Sequence, residues 1–292
     1  MDYVVHILVL IAIYSILTFS LDLLVGHTGI LSLAHAAFYG LGAYTSALLA
    51  LRAGAPFSVC IVAAMVLAVL VSFAVSIPSF RLQDDYLVLA IFGFQMIVSS
   101  LFTNLQGLTG GPLGLAGIPQ PHLLEWTIGS HLGFLLLTSI SAGLTFVIVR
   151  RISGSPFGRV LHAIREDELL AKALGKNTLR FKIAAFAISA ALAALAGSLY
   201  ASYISYIDPT AFDVMQSVLV VAMVIIGGAG SVWGPLVGAV VLVALPEALR
   251  FLGLPYAAAA NLRQVVYGTL IVTMMMARPE GLVGRYRFER GR

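Results

Sequence analysis

Residues 183–203 read IAAFAISAALAALAGSLYASY, 21 positions without a charge. A helix needs about 20 consecutive apolar residues to cross the hydrocarbon core of a bilayer, and this run supplies them. Comparable runs cover 4–24, 57–77, 132–149 and 257–277. None has the strict alternation and regular turn spacing of a membrane barrel, so each is read as helix. Composition points the same way. Sixty per cent of the chain is hydrophobic and 10 % is charged, against about 25 % charged in an ordinary soluble domain. A water-soluble fold of this length has no interior large enough for that much apolar surface. The expected class is therefore all-α, a polytopic transmembrane bundle of about eight to ten spans.

Hydropathy read against the Gly and Pro breaks predicts nine spans, at 3–25, 29–51, 56–78, 86–106, 131–149, 182–203, 212–227, 232–250 and 258–277. The seventh is short for a full crossing, and glycines follow it at once. With the carboxyl terminus in the cytoplasm, Arg81, the block 150–182, Arg278 and the tail residues Arg285, Arg287, Arg290 and Arg292 all lie inside. Only Arg52, Arg250 and Arg263 fall outside. The positive-inside rule selects this orientation, amino terminus out and carboxyl terminus in. It also accounts for the isoelectric point near 9.3 without a nucleic-acid partner. The first apolar run has no preceding Lys or Arg and is longer than a signal-peptide core, so it is expected to be a span. Cys60 is the only cysteine and reads as a small core or lipid-facing residue, with no disulfide and no thiolate metal site implied.

Two glycine-rich segments look alike. One runs from Gly26 through His27, Gly29, Ser32 and His35, and the other from Gly227 through Gly228 and Gly230 to Pro235. Paired Gly/Pro interruptions in corresponding halves suggest a repeat with a pathway at its interface. The plainer alternative is two tight turns whose glycines allow close helix packing. The translocation-path candidates are accordingly Asp22, Gly26, His27, Gly29, Ser32, His35, Gly227, Gly228 and Gly230. Asp22 is an intramembrane carboxylate, which marks it as functional by default; it could also cap the break at Gly26. His27 and His35 are eight residues apart, about 80° around a helix, which is poor geometry for a metal. No metal or cofactor site is expected. Gln95, Asn104, Gln216 and Gln264 read as interhelical hydrogen bonders. In the loop 107–129, the run from Thr109 to Gly114 is turn chemistry.

The block between the fifth and sixth spans differs from the rest. Ser155 is a good N-cap, Pro156 a good first helical residue and Gly175 a good stop. Phe157, Val160, Leu161, Ile164, Ala171 and Leu174 recur at helical spacing among seven charges, too many for a span. The spacing predicts one amphipathic helix, or two bent near Asp167. Its apolar stripe could lie on the bilayer or fill a groove on a partner.

The run with Glu168, Ala171 and Gly175 resembles the cytoplasmic loop by which permeases of ATP-binding-cassette importers dock onto their ATPases. The resemblance extends to 26–44, 110–117, 155–177, 185–201 and 226–239, which together look like the branched-chain amino-acid importer permeases. The match is to the member of the permease pair with Gly26, Gly29, Ser32, Leu33, His35, Ala36, Phe38, Gly40, Gly42, Ala43 and Tyr44 in this order. Many importers have Glu-Ala-Ala where this chain has Glu168, Leu169 and Leu170. The resemblance implies a single permease domain over 1–292 with a docking loop at 150–182, in a bacterial or archaeal cytoplasmic membrane. It also implies ATPase contact through Arg165, Glu168, Ala171 and Gly175, and four kinds of neighbour. These are a second homologous permease subunit, two cytoplasmic ATPase subunits, an extracytoplasmic solute-binding protein and membrane lipid.

The chain carries no phosphate-binding loop of its own, since Gly175 and Lys176 lack the upstream glycine. It is read as a transport subunit, not an enzyme, with no catalytic residue. Branched-chain amino acids, urea, amides and other small solutes all remain open as cargo. Two alternatives stand beside this reading. One is an ion-coupled secondary transporter using Asp22 or Asp208; the other is an intramembrane enzyme built on His27, His35 and Asp22, for which no nucleophile or metal spacing is present.

Overall fold

The computed structural model describes residues 2–82, 84–123, 126–127 and 130–250, with 265, 268–269, 272–274, 276, 278 and 280–284 beyond them. Most of the ninth expected span, Gln264 and the tail arginines from Arg285 onward lie outside the described residues. Helices α1 (Asp2–Thr28), α2 (His35–Ala53), α3 (Phe57–Ser79) and α4 (Asp84–Asn104) come first. A short helix α5 (Gln106–Thr109) leads into the loop before α6 (His131–Gly154). Then follow α7 (Pro156–Glu166), α8 (Glu168–Ala173), α9 (Thr178–Ile204), α10 (Val214–Gly227) and α11 (Gly234–Arg250). Five of these, α1, α3, α4, α6 and α9, are long and apolar enough to cross a membrane. The fold is an all-α bundle, as expected.

Burial sorts the helices into centre and rim. α1 and α9 are mostly buried, while α3, α4 and α6 turn apolar side chains such as Val62, Leu89 and Ile140 outward. Outward apolar faces suit helices surrounded by lipid tails. Small residues make the centre tight. A side chain at Gly42 would strike the backbone of Ala194, and one at Gly197 would strike the Tyr39 carbonyl, so these glycines let α2 and α9 touch backbone to backbone. Ser198 Oγ donates to the Gly42 carbonyl at 3.2 Å and Ser189 Oγ to the Ser20 carbonyl at 2.6 Å.

The loops gather at two ends. At one, residues 54–57 and 119–121 line a cavity of about 460 Å³. The two-residue strands Leu115–Ala116 and Tyr206–Ile207 pair antiparallel there, Leu115 opposite Ile207, a contact between distant loops that no local pattern announced. Arg52 donates to the carbonyls of Gly107 and Leu108, at 2.6 and 3.2 Å. The opposite end carries α7, α8, the α3–α4 turn and the segment between α1 and α2.

The second span begins later than hydropathy suggests. α1 runs through Gly26 and stops at Thr28, where Gly29 takes φ +73°. The next residues are not helical: Ile30, Ser32 and Ala34 are buried, whereas Gly29 and Leu31 are exposed. α2 starts only at His35. Its imidazole Nε2 lies 2.7 Å from Ser20 Oγ, and Ser20 is eight residues from the end of α1, about 12 Å along the helix. The chain therefore turns back into the bundle before α2 begins. That buried start leaves helix N–H groups without intrahelical partners. Ser217 Oγ accepts from Ala36 N–H at 2.9 Å and Gln95 Oε1 from Ala37 N–H at 2.7 Å. Both side chains come from other helices, because Ala34 at the N-cap has none to offer.

α10 has 14 residues, about 21 Å against a core of about 30 Å. The seventh crossing is thus a partial helix, extended by the 3₁₀ turn Pro209–Phe212.

Candidate functional site

The charged block folds as two helices broken at Asp167. Ser155 Oγ accepts from Gly158 N–H at 3.2 Å and Pro156 occupies the first turn, as the cap signals predict. Asp167 caps the second helix by accepting from Leu170 N–H at 2.9 Å. Gly175 ends the unit at φ +76°, a conformation suited to glycine.

The apolar stripe of α7 is already occupied by its own chain. Leu161 and Ile164 are buried, α7 packs against α1, α6 and α9, and Phe157 meets Phe181 with ring centroids 5.3 Å apart. In α8 only Ala171 is buried. Glu168 fastens α8 to the start of α9: it accepts from Thr178 Oγ1 at 2.9 Å, pairs with Lys182, and lies 3.1 Å from Lys172. Partial burial pushes the Glu168 carboxyl up, but hydrogen bonds from Lys182 and Lys172, with the Lys182 charge and Thr178, outweigh it and hold the group below its ordinary value.

Of the predicted docking residues, Glu168 and Ala171 thus hold the loop's shape, Gly175 turns the chain, and Arg165 points inward. The exposed apolar side chains are Leu169, Leu170 and Leu174, at 77, 58 and 71 %. Leu174 is the one member of the predicted stripe that stays exposed. The sequence reading missed Leu169 and Leu170 as a surface, although leucines beside charges on a non-spanning helix were a usable signal.

Arg165 belongs to a second cluster. Its Nη1 donates to the Gly26 carbonyl near the end of α1, and its side chain covers Gly29. One turn earlier on α1, Asp22 Oδ1 accepts from Gly230 N–H at 2.7 Å. The carboxylate does not cap a break at Gly26, since α1 continues there; it caps the other glycine segment, 208 positions away. A Cβ at Gly26 would collide with both Asp22 Oδ1 and Gly230 N, so only glycine lets this bond pass. His27 Nε2 lies 3.7 Å from Asp22 Oδ2, too long for a hydrogen bond, and its Nδ1 is 3.2 Å from His162 Nε2 on α7. Burial, and then the Arg165 charge, hold His162 below the ordinary imidazole value despite Glu166 nearby, so it is neutral at neutral pH. A pocket of about 260 Å³ opens beside this junction.

His27 and His35 do not share a helix: His27 ends α1 and His35 begins α2, so an angle around one axis does not describe them. Ser32 Oγ and His35 Nδ1 are buried without a hydrogen-bond partner. Gly29 and Leu31 face a cavity of about 750 Å³ that also meets Arg81, Asp85, Glu168 and Lys182. Unwound backbone at membrane depth requires protein or a wet cavity around it, and this segment is partly buried in the bundle and partly borders that cavity. Gly227 brings α10 against Gly234 and Gly238 of α11, and Gly228 lies against Gly284. Gln95 bridges α2 and the Phe212 carbonyl, and Gln216 Nε2 donates to Tyr14 Oη at 2.9 Å. Asn104 instead bonds Ser100 within its own helix. Asp208 caps the 3₁₀ turn at the far end.

The family model for the branched-chain amino acid transport system permease component matches residues 3–275. The high-affinity branched-chain amino acid transport system permease protein LivM of Escherichia coli is 34 % identical over 302 residues, covering 96 % of this chain and 69 % of that protein. A probable LivM of Methanocaldococcus jannaschii is 29 % identical over 238 residues, 76 % of this chain and 68 % of the relative. LivH of Escherichia coli is 26 % identical over 301 residues, 95 % of this chain and 93 % of the relative. No solved structure matches the chain. With the family model spanning nearly the whole bundle, the chain belongs to the branched-chain amino acid transport system permeases.

Proposed function

We propose that this permease is one membrane half of an ATP-driven importer for branched-chain amino acids or a closely related small solute. In this reading it pairs with a LivH-like second permease, receives solute from an extracytoplasmic binding protein, and is moved by two cytoplasmic ATPases. The observation that carries the proposal is the division of labour between α7 and α8. α7 is packed into the bundle, while α8 offers Leu169, Leu170 and Leu174 outside any span. Apolar side chains in that position suit a groove on a partner. The family names of the relatives support the solute class. The whole chain serves as one permease domain, with 150–182 as its docking loop.

Orientation follows from charge. Arg81, Arg165, Lys172 and Lys182 surround one cavity at the α7–α8 end, which supports a cytoplasmic α7–α8 end, amino terminus out and carboxyl terminus in. Gly29, Ser32 and His35 are read as the path wall, because Gly29 lines that cavity and the buried Ser32 and His35 follow it into the start of α2. Asp22, Gly26, His27 and Gly230 border the path from the junction side, and Gly227 and Gly228 shape the α10–α11 turn.

The test is reconstitution in liposomes with the second permease, the ATPases and the binding protein. Leucine, isoleucine or valine should stimulate ATP hydrolysis and enter the liposomes only with ATP. Uptake driven by an ion gradient without ATP would overturn the reading.

A further inference from the structure

Two glycine segments about 200 residues apart and one docking helix meet in a single polar junction, and nothing in ordinary helix packing requires this. Arg165 donates from α7 to α1 backbone, and it acts at the last turn, where carbonyls lack intrahelical donors and a cation is favoured. Asp22 lies one helical turn before that carbonyl and holds the α10–α11 turn through Gly230 N–H. His27 and His162 add a second tie between α1 and α7.

We propose that Arg165 and Asp22 are positioning residues that join the docking helix and both glycine segments into one moving body, so that displacement of α7 is delivered together to the ends of α1, α10 and α11. This rests on the reading of α8 as the ATPase contact. The physical reason is that opening either hydrogen bond alone separates a pair held inside the fold. Asp22 is 2 % exposed, and a buried polar group that loses its hydrogen bond is disfavoured. Moving α7 while leaving α1 behind would strip Arg165 from the Gly26 carbonyl. Moving α1 without the α10–α11 turn would strip Asp22 from Gly230. The cheaper motion is the joint one. Gly26 and Gly230 are the small residues that let three elements close over each other, since a side chain at Gly230 would meet both the Gly26 carbonyl and Arg165 Nη1.

The experiment compares uptake with ATP hydrolysis in the reconstituted complex for Arg165→Ala, Asp22→Ala and Gly26→Ala. Asp22→Ala removes the acceptor of Gly230 N–H, and Gly26→Ala keeps it but inserts a Cβ into the Asp22–Gly230 bond. Uptake per ATP hydrolysed is expected to fall roughly tenfold in each, within the span of ordinary coupling free energies, while ATPase co-purification is unchanged. The double variant Arg165→Ala with Asp22→Ala should be no worse than the poorer single, because the two bonds act in series. Where Arg165→Ala fails to assemble, Gly26→Ala carries the test. A normal uptake-to-hydrolysis ratio in assembled variants overturns the proposal, whether both rates are intact or fall together. Failure of the functional reading is separately visible, because then the unaltered chain itself neither binds ATPases nor supports ATP-dependent uptake.

Discussion

α7 and α8 are neighbours with similar charge-rich composition, and the fold uses them in opposite ways. α7 spends its apolar stripe inside its own bundle, with Leu161 and Ile164 buried and Arg165 reaching the end of α1. α8 buries Ala171 and leaves Leu169, Leu170 and Leu174 in the open. On the proposed reading, the loop docks through α8 and not through α7, its more amphipathic helix. α7 would then serve as the anchor and α8 as the handle, with Asp167 as the joint between them.

The largest expected effect comes from the handle. Replacing Leu169, Leu170 and Leu174 together with Asp should leave the detergent-solubilised chain monodisperse and thermally unchanged. If two of the three behave as hot spots of about 2 kcal/mol each, ATPase binding weakens roughly a thousandfold, measurable by co-purification and titration. Unchanged binding would mean that the exposed leucines are not the contact. Next in size is Ala171→Asp, which forces an unpaired charge into a packed site at a cost of about 3 kcal/mol. α8 should detach, and limited proteolysis at Lys172 and Lys176 should accelerate while α7 stays protected. Equal loss in both helices would erase the distinction between anchor and handle.

Glu168→Gln sharpens the comparison at a smaller scale. It removes the carboxylate from Lys182, whose side chain is 11 % exposed, and should cost α8 about 2 kcal/mol of exchange protection. The same contact sets a pH dependence. A carboxyl held below its ordinary value contributes stability that is complete above the unfolded value of about 4.3 and lost only as pH falls through the lower folded value. Amide exchange in α8 should therefore be flat from neutral pH down to about pH 5 and rise on further acidification. The smallest effect is at the cap of the anchor: Ser155→Ala should cost about 1 kcal/mol and fray only the first turn of α7.

Local chemistry made much of this legible beforehand. The spans, the Ser155 cap, the Asp167 joint and the Gly175 stop all depend on residues close in sequence. What stayed hidden depends on distant partners. Hydropathy places Leu31, Ser32, Leu33 and Ala34 in the second span, while the glycines mark 26–35 as an interruption; the non-helical course begins at Gly29 and ends where Ser217 and Gln95 hold the start of α2. Asp22 was visible as a buried acid, but its partner is a backbone N–H at Gly230. Arg165 did leave a trace, being one helical turn from Leu161 on the buried side of α7. A cation on an apolar stripe requires an acceptor within the fold, and the spent carbonyls at the end of α1 are that acceptor.

The buried start of α2 also has a consequence for how the chain is made. The side chain that accepts from Ala36 is 181 positions further along, and the one that accepts from Ala37 is 58 further. At about 5–20 residues per second, the ribosome needs roughly ten to forty seconds to supply Ser217 after Ala36. Ala37 N–H also reaches the Ala34 carbonyl at 3.1 Å, but until Ser217 arrives the Ala36 N–H has only water or the insertion machinery to bond, since lipid offers nothing. The first hairpin of the bundle must therefore wait in a hydrated place for its last polar partner. A Ser32→Cys chain stalled before Ser217 should react with a water-soluble maleimide and become inert once released at full length; protection already present in the stalled chain would contradict this order of assembly.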